Sequence, residues 1–247
     1  MSPNSSLSSA HKPHSIAIMQ PYIFPYIGYF QLLSAVDTFI IYDDVQYIKG
    51  GWINRNRILV GGQPMLFTVP LVAPSPNRKI CEIDIDPSLK WKNKLLQTIK
   101  QNYARAPYFE PTFSLLERVL DSNSPKTISD LVRLSIAEVV TYLTINVNII
   151  PTSACYGNQH LRSQERVLDI CSIEKASDYT NSIGGKVLYN SKDFLREGVN
   201  LHFLQPNLSP YRQLNKGEFI PGLSLIDVLM NNSVQEIKKM LLDFKLV

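Results

Sequence analysis

Two successive aspartates, Asp43-Asp44, close an apolar run of β-branched and aromatic residues at 38–42. A carboxylate at the end of a buried strand can bind a metal ion, accept from an amine, or act as a general base. The plainer alternative is a turn aspartate bonded to nearby backbone. Gln46, Tyr47 and Lys49 follow at once and favour a ligand. A second polar group is Trp52-Ile53-Asn54-Arg55-Asn56-Arg57. Run as a strand, it puts Asn54 and Asn56 on one face and Arg55 and Arg57 on the other. Guanidinium forks suit phosphate, and an indole can stack on a base or a sugar face. The alternative is an exposed strand whose arginines pair with acidic neighbours.

Two glycine turns complete the set. Tyr26-Ile27-Gly28-Tyr29 follows the apolar run 15–19 and its polar exit, Gln20-Pro21. A turn leading from a strand into a helix aims backbone N–H groups at any anion over the strand end. The hydroxyls of Tyr26 and Tyr29 flank that opening and can donate to phosphate or sugar, but they bring no positive charge. Cations would come from Lys49, Arg55, Arg57 or Lys186. The second turn, YTNSIGGK at 179–186, offers Asn181, Gly184, Gly185 and Lys186 as a possible anion nest. It is not a Walker loop, because Val187 follows the lysine and no glycine precedes at the needed spacing. A strand-to-helix turn is its alternative reading.

The remaining chemistry is sparse. Three cysteines and four histidines show no CxxC and no zinc spacing, so no residue set is assigned to a metal. Cys155, with His160 nearby, is the one candidate nucleophile. Asp227 sits in an apolar helical stretch, where an unpaired carboxylate would be costly to bury.

These groups need elements to hold them. Strands are expected at 15–19, 38–42, 145–150 and 199–204, with an edge strand at 80–85 and a hairpin of 56–60 and 63–69 around Gly61-Gly62. Helices are expected at 29–36, 89–103, 111–120, 128–143, 163–171, 187–195 and 223–242, the last broken near Asn231-Asn232. Alternation at both ends, with helices in the middle, predicts one α/β domain over 15–247. Its sheet would be largely parallel and Rossmann-like, with a helical insertion at 88–143. The first two strands should be adjacent, with Gln20 and Asp43 near one edge.

Composition sets outer limits. A net charge of +4 can help hold a phosphorylated substrate but does not call for nucleic acid. With 45% hydrophobic and 19% charged residues, the chain reads as a globular protein with no run long enough for a membrane helix. Residues 1–14 lack the apolar core of a signal peptide and are expected to be a disordered leader in a cytoplasmic protein.

The strings MQPYIFPYIGYF and FIIYDDVQYIKGGWINRNRI, with APYF at 106–109, YTNSIGGKVLY at 179–189 and LSLIDVLMNN at 223–232, resemble the WbqC-like family of bacterial proteins. Many members are linked to O-antigen, lipopolysaccharide and other surface-polysaccharide gene clusters. The resemblance covers nearly everything from Ser15 onward. It implies a transferase that places glycine or a related small acyl group on the amine of a nucleotide-linked amino sugar. The turn at 26–29 is also similar to the HxGH turn of nucleotidylyltransferase-type enzymes such as pantothenate synthetase, with Tyr26 and Tyr29 in the histidine places. That likeness implies ATP, with magnesium, forming an acyl-adenylate that the sugar amine attacks, while Asp43 or Asp44 binds the amine or a metal. A variant takes a preactivated acyl group from a carrier protein or charged tRNA. The second expectation is a non-catalytic protein that binds a nucleotide-sugar or a partner glycosyltransferase.

Overall fold

In the first strand, β1 (Ser15–Met19), alternate side chains turn to opposite faces of the sheet. Ile16 and Ile18 join one hydrophobic cluster and Ala17 the other. In β2 (Thr38–Ile41) Ile40 joins the first cluster, and Phe39 and Ile41 join the second. Strands buried on both faces read as near-continuous apolar runs, and these two lie side by side in parallel register, Ile16 against Thr38. The computed structural model describes residues 13–121, 125–215 and 217–247. Most of the expected leader therefore lies outside the described residues, while His14 is tied in place by its N–H to Ser177 Oγ at 3.0 Å.

Helix α1 (Ile27–Ser34) links β1 to β2. The connection from β2 to the next sheet strand carries the hairpin β3 (Arg55–Val60) and β4 (Gln63–Thr68), then helices α2 (Leu89–Tyr103), α3 (Phe109–Asp121) and α4 (Ile128–Leu143). Strand β5 (Asn148–Ile150) then pairs with β2. Helix α5 (Ser163–Ile173) crosses to β6 (Asp178–Ser182) beside β1, and α6 (Ser191–Arg196) leads to β7 (Asn200–Pro206). Helices α7 (Leu225–Asn231) and α8 (Val234–Leu241) precede β8 (Phe244–Leu246), the antiparallel edge.

The sheet order is β5-β2-β1-β6-β7-β8, with every pairing parallel except the last. Taken in chain order these are strands 3-2-1-4-5-6 of a doubly wound, Rossmann-like sheet. Helix α5 and α6 cover the Ile16, Ile18 and Ile40 face through Val167, Ile170 and Phe194. Helix α1, the inserted helices, α7 and α8 cover the other. The order therefore reverses between β1 and β6, and ligands of such sheets bind over the carboxyl ends of the strands at that point.

Three sequence expectations are corrected. Residues 80–85 form a 3-10 turn at Ile80–Glu82 and isolated bridges, not an edge strand. The helix expected at 187–195 is a 3-10 turn, Ile183–Leu188, followed by the shorter α6. The expected break at 178–186 holds β6, the strand on which the sheet turns. Its sequence, DYTNS, carries little of the apolar signal by which strands are read.

Candidate functional site

A cavity of about 620 Å³ opens over the carboxyl ends of β1 and β2, beside the segment that follows β6. Gln20 lines it from the exit of β1, Tyr42, Asp44 and Gln46 from the exit of β2, and Tyr189 from beyond β6. The start of α5 supplies Arg162, Ser163, Gln164 and Arg166. Lys79 joins because the chain at 43–47 runs against 78–81: Ile80 N–H donates to Val45 O at 2.9 Å, and Gln46 bridges to Lys79.

The two aspartates hold this cavity together. Asp43 accepts from Ser129 Oγ and from Thr152 Oγ1, each at 2.6 Å, which ties β2 to α4 and to the loop after β5. Helix α4 starts at the right place because Thr127 caps it and Asp130 bonds back to the cap. Asp44, 4% exposed, pairs with Arg166 at 2.6 Å and accepts from Ser153. Arg166 also donates to Asn158 Oδ1 at 2.8 Å, and its guanidinium lies 4.9 Å from the Tyr42 ring centre. Burial pushes the Asp44 carboxyl up, but the hydrogen bonds from Arg166 and Ser153 and the guanidinium charge outweigh it, so its pKa falls below the ordinary range. Both carboxylates are thus spent on protein partners where sequence reasoning had a free base or a metal ligand. Among the described residues, no group of three or more His, Cys, Asp or Glu stands close enough to hold a metal ion.

The free groups are of another kind. Among the described residues, Lys79 and Arg162 make no ion pair, and the Gln20 amide has no hydrogen-bond partner. Helix α5 has eleven residues and Arg162 at its N-cap, with no side chain capping its first N–H groups. Uncapped N–H groups, the positive end of the helix dipole and two cations are groups that can attract an anion.

The other predicted residues lie elsewhere. Tyr29 is buried in the core, where its hydroxyl donates to Gln20 O at 3.2 Å. The Tyr26 ring folds over Gly28: a Cβ added there would sit 2.4 Å from Tyr26 Cε2. The start of α1 is thus covered by an aromatic ring, and neither tyrosine lines the cavity. Asn54 and Asn56, expected on one face, are both buried and bond Val69 O and the carbonyls of Ile23 and Phe24. Arg55 bonds Gly50 O and Gly51 O, and Arg57 bonds Gly222 O. Both guanidinium groups lie about 6 Å from the Trp52 ring, at 6.0 and 5.7 Å. That segment, Lys49, Gly184 and Lys186 do not reach the cavity. Asn181 and Gly185 are buried beside it, and a Cβ on Gly185 would stand 2.9 Å from Asn181 Oδ1. Exposed Cys155 donates to Thr152 O at 3.1 Å, and burial raises its thiol, so it is no activated nucleophile.

A larger hollow of about 1130 Å³ lies between the turn of the β3–β4 hairpin and the loop at 212–220. No end of a parallel strand feeds it, and the switch-point cavity is preferred on that ground.

The model of the WbqC-like protein family matches residues 20–239. The chain belongs to that family. This WbqC-like chain is also 29% identical over 218 residues to the uncharacterized protein Rv1507c of Mycobacterium tuberculosis, an alignment spanning 87% of this chain and 93% of the relative. No solved structure matches it. Within the WbqC-like segment lie all the lining residues of the cavity, from Gln20 to Tyr189. No helix among the described residues is long and apolar enough to cross a membrane.

Proposed function

We propose that this WbqC-like protein is a cytoplasmic transferase of surface-polysaccharide biosynthesis, O-antigen and lipopolysaccharide included. It places glycine or a related small acyl group on the amine of a nucleotide-linked amino sugar. The observation that carries the reading is the anion site over the sheet's switch point. Unpaired Lys79 and Arg162 converge there with the uncapped start of α5, next to the neutral donors and acceptors Gln20 and Gln46. Such a set suits a diphosphate flanked by hydroxyl-rich sugar. The cavity's volume is within the range of small-ligand sites.

If ATP serves, its phosphates would lie against Lys79, Arg162 and the α5 N-terminus, not against α1. In that form the acyl carboxylate attacks the α-phosphorus and pyrophosphate leaves. The sugar amine then attacks the acyl carbon, AMP leaves, and the ammonium loses a proton. With an acyl group preactivated on a carrier protein or tRNA, only the second attack is needed. Asp43 and Asp44, the carboxylates that would hold magnesium, are each bonded to protein groups. The same fact favours a second reading, a nucleotide-sugar binding protein without chemistry of its own.

Calorimetric titration of the full chain with ADP and with UDP-sugars tests the site. Binding that weakens with salt is expected, with a roughly tenfold loss in Lys79→Ala and in Arg162→Ala, the scale of one charge-assisted bond. Absence of any nucleotide binding overturns the site. Glycine-dependent exchange of labelled pyrophosphate into ATP separates an adenylating enzyme from the other forms.

A further inference from the structure

Three side chains near the switch point form a closed hydrogen-bond circuit with one loose end. Asn181 accepts on Oδ1 from the backbone N–H of Ser182 at 2.7 Å, which fixes which way its amide faces. Its Nδ2 therefore points at two phenols, donating to Tyr179 Oη at 2.7 Å and to Tyr189 Oη at 3.2 Å. Tyr179 is fully buried, and the Tyr189 oxygen, 3.3 Å away, is the sole acceptor within its reach among the described residues. Its proton must go there, since the reverse direction would orphan a buried hydroxyl hydrogen. The Tyr189 oxygen then receives two hydrogen bonds, and its own hydrogen has no acceptor among the described residues. Tyr189 also lines the cavity.

We infer that Tyr189 is the neutral donor of this site, aiming its hydroxyl hydrogen at an anionic oxygen, a phosphate of the ligand, held between Lys79 and Arg162. The inference rests on the anion-site reading given above. Tyr179 and Asn181 are positioning residues that leave the hydroxyl one direction in which to donate. The ring is held as well, edge-on to Tyr179 at 5.7 Å and to Phe194 at 5.7 Å. Burial raises the Tyr189 phenol ahead of the bonds from Tyr179 and Asn181 that lower it, so it stays protonated at neutral pH. Each phenol oxygen in the circuit accepts before it donates, and hydrogen bonds in such a chain strengthen one another. Gly185 belongs to the same device, because a side chain there would displace the Asn181 amide.

The test uses the full chain and inorganic pyrophosphate, titrated by calorimetry at low salt. Wild type is expected to bind, Tyr189→Phe to bind about tenfold more weakly with a Tm lowered by a few degrees because the buried Tyr179 hydroxyl loses its acceptor, and Tyr179→Phe to lose about threefold. In protein carrying ¹³Cζ-tyrosine, the resonance that vanishes in Tyr189→Phe is expected to move on adding pyrophosphate, which a purely structural ring would not do. If wild type binds and Tyr189→Phe binds equally well, the inference falls while the anion site stands. If wild type does not bind pyrophosphate at all, both fall.

Discussion

Two buried aspartates in this protein have been given opposite electrostatic lives. Asp44, at the cavity, faces the Arg166 guanidinium at 2.6 Å. Asp227, at 0% exposure in α7, has only neutral donors among the described residues: Tyr103 Oη at 2.8 Å, Tyr211 Oη at 2.6 Å and Gln213 Nε2 at 3.1 Å. Burial dominates at Asp227 and raises its carboxyl in spite of those three bonds, whereas at Asp44 a cation reverses the sign. Three neutral hydrogen bonds do not outweigh burial at Asp227, whereas at Asp44 the guanidinium bonds and charge, with the Ser153 hydroxyl, do. The neutral arrangement at Asp227 holds Tyr211 and Gln213 against α2 and α7. The charged one at Asp44 builds a wall that can stand beside an anion site without adding free negative charge to it.

Breaking the ion pair from its cationic side should have the largest effect. Arg166→Met leaves a buried carboxylate without its charge partner, and denaturant unfolding is expected to lose about 3–5 kcal/mol. A loss below about 1 kcal/mol would mean that water reaches Asp44 freely. Asp227→Ala is expected to cost about 2–3 kcal/mol, since hydroxyls can turn toward other acceptors more easily than an ion can be neutralised. Equal losses at the two sites would erase the distinction drawn between them.

The pH dependence sharpens it further. Asp44, whose folded carboxyl is lowered, adds stability that is complete above the unfolded value near 3.9 and is lost as pH falls through and below it. Asp227, whose folded carboxyl is raised, does the reverse: its cost appears as pH rises above about 3.9 and is complete once the folded value is passed. Unfolding midpoints against pH should therefore show Asp227→Asn gaining on wild type as pH rises through the carboxyl range. The deficit of Asp44→Asn should close as pH falls. Differences running in the same direction would refute the assignment. The smallest effect belongs to Arg118→Ala at an exposed pair, Arg118–Glu138 at 2.9 Å with Arg118 54% exposed, where about 0.5 kcal/mol or less is expected.

How much of this could be read from sequence follows the same division between local and assembled features. β1, β2 and the exits Gln20, Asp43 and Asp44 were legible, because an apolar run and the polar residues ending it are contiguous. Asp227 was legible as an anomaly, a carboxylate in an apolar helix, though not its tyrosine partners. β6 was hidden by its polar residues, and β8 by its three-residue length. The start of α5 at Ser163 was legible, but no spacing showed that this crossover would bring Arg162 and Arg166 to the ends of β1 and β2. Lys79 arrives by pairing with Gln46, a contact of the inserted segment. Tyr26 and Tyr29 misled because a glycine turn before a helix looks the same whether a ring or a ligand covers it.

The long insertion between β2 and β5 has a kinetic meaning. β1 meets β2 across 22 residues, as between Ser15 and Asp37, but β2 meets β5 across 110, as between Thr38 and Asn148. Chain-closure entropy makes the second contact costlier by only about 1.4 kcal/mol, so the detour is cheap at equilibrium. It is slow in time, because non-local pairings form late. The loop after β5 carries Thr152 and Ser153, the groups that grip Asp43 and Asp44. An early collapsed chain would therefore hold the first two strands and the apolar core while the proposed anion site was still unassembled, so recovery of pyrophosphate binding should lag behind recovery of helix signal on refolding.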